Sequence, residues 1–127
     1  METKVVAAQH GITAAVVYYM LGKGYQLTVM DKQQYQSFLW EGKVSGTACA
    51  DGGEAIAAML ALKECTLVCT NEGDAVSFGF TYGTDWGFDC LDDLEYGGNF
   101  SPVKEAVLDQ VNTLRQYYVD HYLDWRD

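Results

Sequence analysis

The sequence predicts an α+β fold: one domain over residues 1–127, with a small mixed or antiparallel sheet of about four strands packed against a long C-terminal helix and roughly two or three further helices. Three observations lead there. A length of 127 residues with 49% apolar content suits a single core. Helical and strand periodicities alternate along the chain, so the two kinds of element interleave. One Pro and no Ser/Gly/Gln-rich tract argue for order nearly end to end.

The run from Ile12 to Leu21 is apolar almost all round and is closed by Gly22-Lys23-Gly24, which supplies terminal glycines and a cation for the helix dipole. A buried helix fits best, with His10-Gly11 as a loop or cap before it. The Val and Tyr content keeps a strand reading open. From Tyr25 to Met30 the alternation of Tyr25, Leu27 and Val29 against Gln26, Thr28 and Met30 marks a strand with one buried face. Asp31 with Gln34 three residues on reads as a reciprocal N-cap. Tyr35, Phe38 and Leu39 follow at helical spacing, giving a short helix to Trp40. The alternative is a hairpin turning at Glu41-Gly42. Val44 to Cys49 reads as a strand. Asp51-Gly-Gly-Glu54 repeats the capping logic before a helix with Ile56, Met59, Leu60 and Lys63 on one face.

Thr66 to Thr70 and Ala75 to Tyr82 flank the turn formers Asn71-Glu-Gly-Asp74, which predicts a β-hairpin. The second strand is lopsided. Val76, Phe78, Phe80 and Tyr82 form a bulky face directed to the core, while Ser77, Gly79 and Thr81 leave a nearly bare one. Ser101-Pro102 then opens the last helix, expected to run to about Trp125. Val103, Val107, Val111, Leu114, Tyr118, His121 and Trp125 fall on one stripe of it. Nearly opposite, Glu105, Asp109, Asp120 and Asp124 form an acidic row about 28 Å long.

Charge is the most distinctive property of the chain. Between Lys63 and Lys104 there is no Lys or Arg, yet Glu64, Glu72, Asp74, Asp85, Asp89, Asp92, Asp93 and Glu95 lie there, contributing -8 to a formal net charge of -10. Phe78, Phe80, Tyr82, Trp86, Phe88, Tyr96 and Phe100 are interleaved with them. Carboxylates with aromatic anchors suit a cationic partner. Direct nucleic-acid binding is disfavoured, because a net anion repels the phosphate backbone.

The motifs that would signal chemistry are missing or misplaced. Started at Asp85, a calcium loop would need an acid or Asn where Gly87 stands, Gly where Cys90 stands and Glu where Tyr96 stands. The nearest zinc-like pair is Cys65-x-x-x-Cys69, and in a strand those sulfurs sit about 13 Å apart. The four cysteines are therefore expected as reduced thiols, and neither metal nor cofactor is expected. His10 and His121 stand in no nucleophile motif. Gly22-Lys23-Gly24 lacks the spacing of a phosphate cradle. No apolar run approaches the roughly 20 residues of a membrane span, and the start of the chain offers no secretory pattern, so a cytosolic location is expected.

The leading expectation is a non-enzymatic binding protein of inhibitor, immunity or nucleic-acid-mimic type. It would dock a basic protein surface, such as that of a nucleic-acid-binding protein, through Asp85, Trp86, Phe88, Asp89, Asp92, Asp93 and Glu95 in the loop and Glu105, Asp109, Asp120 and Asp124 on the helix. A second reading is a small-molecule binder or small enzyme with a pocket over Gly79 rimmed by Trp86, Tyr96 and Tyr118. A third is a homodimeric accessory protein with no readable activity.

Overall fold

The computed structural model describes residues 2–43, 45–82, 90–92 and 102–121. It is an α+β domain built on one sheet with strand order β2-β1-β3-β4-β5. The strands are β1 (Gln26–Met30), β2 (Thr47–Cys49), β3 (Glu64–Asn71), β4 (Asp74–Thr81) and β5 (Leu91–Asp92). Every neighbouring pair is antiparallel. The helices are α1 (Glu2–Gly22), α2 (Lys32–Glu41), α3 (Gly52–Leu60) and α4 (Pro102–His121).

Pairing register decides which side chains meet. Leu27 lies opposite Cys69, Val29 opposite Leu67, Phe78 opposite Leu67 and Phe80 opposite both Cys65 and Leu91. Because side chains alternate across a strand, these residues share one face of the sheet. That face forms the core. Ile12, Val16, Val17 and Met20 of α1, Ala55 and Met59 of α3, and Val107 and Val111 of α4 pack over it. The bulky side of β4 meets the core as its alternation predicts, with Val76, Phe78, Phe80 and the following Tyr82 all buried.

Local chemistry accounts for most boundaries. α1 ends in a left-handed glycine, Gly24 at φ 87°, with the Tyr25 amide donating to the Met20 carbonyl and the Gly24 amide to that of Leu21. That is a Schellman closure, and it delivers Tyr25 directly to β1. The capping box before α2 is present: the Gln34 amide donates to the Asp31 carboxylate at 2.8 Å, and the Asp31 amide to the Gln34 side chain at 3.0 Å. Residues 32–41 are thus helix and not half of a hairpin. Asp51 caps α3 by accepting from the Glu54 amide at 2.8 Å. The β3–β4 hairpin turns on two residues, Glu72 at φ 45° and Gly73 at φ 86°, with Asn71 paired to Asp74.

Two expectations are corrected. α1 does not begin after His10-Gly11 but runs through them from Glu2. Gly11 is a packing glycine and not a breaker: the Tyr118 side chain of α4 occupies the place where a Cβ would project. The strand alternative for Ile12–Leu21 falls with it. The sheet of about four strands is present, with a further two-residue strand at its edge beside β4. His121 is exposed, not packed on an apolar stripe; its ring stacks on Tyr117 at 4.0 Å between centroids and its Nδ1 lies 2.8 Å from the Tyr117 carbonyl oxygen.

Candidate functional site

The acidic face of α4 is built by how the helix spends its cations. Lys104 is fully buried, its ammonium donating to the Ser77 carbonyl of β4 at 2.6 Å and lying 5.3 Å from the centre of the Phe78 ring. Arg115 donates to the Leu91 carbonyl of β5 at 3.0 Å and to the Asn112 side chain at 3.0 Å. Both cations thus point to sheet carbonyls. Val107 and Val111 go to the core, Leu114 and Tyr118 are half-buried, and Glu105, Asp109 and Asp120 are exposed. Asn112, Thr113 and Gln116 lie between the acids and are exposed too. Asp120 accepts from the Gln116 side-chain Nε2 at 2.9 Å, which holds that carboxylate along the helix. The outward face therefore carries carboxylates and neutral polar groups, while Lys104 is turned inward and the half-buried Arg115 lies between the sheet edge and Asn112.

Other acids have local duties. Asp31 and Asp51 cap helices, Glu54 accepts from the Ala50 amide at 3.2 Å, and Asp74 accepts from the Tyr25 hydroxyl at 2.6 Å. Asp74 belongs to the basic-free window, so that window is not one functional unit. Asp92 pairs through its backbone with Gly79 at the sheet edge. Asp85, Trp86, Phe88, Asp89, Asp93, Glu95, Tyr96 and Asp124, with the Ser101 cap, the Trp125 helix end and the Val44 strand start, lie outside the described residues.

The two described members of the alternative pocket are not brought together. Gly79 alternates with the core-facing Phe78 and Phe80 and so belongs to the back of the sheet, whereas Tyr118 packs against Gly11 on the core side. A different surface feature lies on α2. Trp40, at the end of α2, is 86% exposed and its neighbour Leu39 39%. The weak apolar count of α2 was the available signal.

Burial sets the titration of two interior thiols. Burial pushes the Cys69 thiol up to about 12 and the Cys65 thiol to about 12, the latter with help from nearby Cys90 and Glu64. Burial also raises Tyr82, against the opposing effect of its 2.8 Å hydrogen bond with the Thr13 hydroxyl. A protonated, buried thiol is inert at neutral pH. Among the described residues no group of three or more His, Cys, Asp or Glu side chains is placed to hold a metal ion, and no helix is long and apolar enough to cross a membrane. No protein-family model, curated protein or solved structure matches the chain.

Proposed function

We propose that this chain is a non-enzymatic binding protein that docks a basic protein surface on the outer face of α4, in the manner of an inhibitor or a nucleic-acid mimic. One observation carries the reading: Lys104 and Arg115 donate to carbonyls of the sheet, so Glu105, Asp109 and Asp120 stand outward without a cation of their own helix beside them on that face. A helix whose cations are engaged by the sheet presents a predominantly negative outer face, and such a field steers an oppositely charged partner and raises its encounter rate. The net charge of -10 adds to it at long range. The Asp85–Glu95 stretch, with Trp86 and Phe88, would supply further carboxylates and the buried aromatic contacts.

The test is affinity capture from the native host at low and high salt, followed by association kinetics on the captured basic protein. Glu105→Lys with Asp109→Lys should slow association by about tenfold or more at low salt, and the difference should shrink as salt rises. A complex whose association is indifferent to both salt and charge reversal would sink the reading.

A further inference from the structure

Among the described residues, α1, α3 and α4 drive side chains into the main core, and α2 does not. No residue of α2 is buried; its best-covered positions, Gln34, Tyr35, Ser37 and Phe38, are only half-buried. α2 packs against β1 and β3, and on the sheet face opposite the main core two apolar side chains of those strands are dry. Met30 is 0% and Val68 1% exposed, and both alternate with core-facing neighbours, outside the main cluster. α2 is also self-contained at its ends. The Asp31–Gln34 capping box closes one, and Gly42, left-handed at φ 67° with its amide donating to the Phe38 carbonyl, closes the other. An element with little buried surface belongs at the low end of local stability, and its two caps are what hold it together as a unit.

We propose that α2 is a cover that leaves the back of the sheet as one cooperative unit while the core stays closed, uncovering the strip formed by Met30 and Val68. A ten-residue helix is marginal in water without tertiary support, so the segment unwinds when it lifts. The boundary of the unit is set by its caps, residues 31 and 42. The motion is independent of the acidic face of α4, which lies on the other side of the sheet.

Native-state hydrogen exchange on the full chain tests this. The amides from Tyr35 to Gly42 should exchange with one shared opening constant, roughly 100-fold or more above that of Leu67 and Cys69 in β3, and with a small shared denaturant dependence. Asp31→Ala should accelerate all of them by a common factor of about fivefold, including those next to Gly42. Protection equal to that of β3, or acceleration by Asp31→Ala confined to the first turn, would overturn the proposal.

Discussion

At the scale of single residues, the hairpin turn holds the clearest local conflict. Glu72 sits at φ 45°, the left-handed region, beside Gly73 at φ 86°. Two positive φ values in a two-residue loop match the twist of the flanking strands, and Asn-Gly is the pair that adopts them with least cost. A Glu there bears the steric penalty of its Cβ. Glu72→Asn should therefore raise stability by about 0.5–1 kcal/mol in urea unfolding, while Glu72→Gln, which removes the same charge without the Asn preference, should not. Equal gains from both would trace the effect to charge. A second residue-scale consequence concerns alkali. The hydrogen bond to Asp74 and burial push Tyr25 up to about 12, as burial does for Cys65 and Cys69. Above pH about 9 the unfolded chain releases these thiol protons while the folded chain keeps them, so the unfolded state binds fewer protons and stability falls as pH rises. Each such thiol steepens the decline by ~1.4 kcal/mol per pH unit between about 9 and about 12. Chemical denaturation across that range should show the loss, with a shallower slope in Cys69→Ala.

At the scale of elements, α4 is fastened to the sheet by groups that sequence periodicity does not reveal. Lys104 reads as a flanking cation on a helical wheel, yet it is fully buried, with its ammonium donating to the Ser77 carbonyl of β4. The local signals were legible: Asp31 with Gln34, Asp51 with Glu54, Gly24 after α1 and the alternation of β4 all act within a few residues of themselves. The start of α1 was not. Gly11 reads as a breaker, and its reason, the side chain of Tyr118, is remote in sequence. β5 was equally silent, since two residues carry no period. The acidic row of α4 was readable from spacing, but that its cations are engaged by the sheet rests on long-range pairing with β4 and β5. Lys104→Met keeps most of the stem and removes the ammonium, so urea unfolding should report a loss of about 1–3 kcal/mol. Lys104→Ala should lose more, because the packing of the stem goes as well. A Met variant as stable as the parent would mean that burying the charge costs as much as its hydrogen bond returns.

At the scale of the molecule, the same charge that would attract a partner works against the folded chain. A net charge of -10 on 127 residues, with Glu105 and Asp109 one helical turn apart and both exposed, makes the compact state self-repelling. Carboxylates one turn apart lie ~6 Å from each other, inside the ~10 Å Debye length at 0.1 M salt, so the repulsion survives dilute buffer and fades in concentrated salt. Raising sodium chloride from about 0.02 to about 0.3 M should therefore raise the melting midpoint, by roughly 4 °C for each ~1 kcal/mol of repulsion relieved. Glu105→Gln with Asp109→Gln should start from a higher midpoint and respond less to salt. The proposed complex should move the opposite way, weakening as salt rises. The two slopes separate two origins of the acidity. Opposite signs are what a surface kept anionic for a partner requires, since it bears a folding cost in exchange for encounter rate. A midpoint that falls with added salt would instead show that attraction between exposed charges outweighs repulsion, and the acidic face would then contribute to the fold.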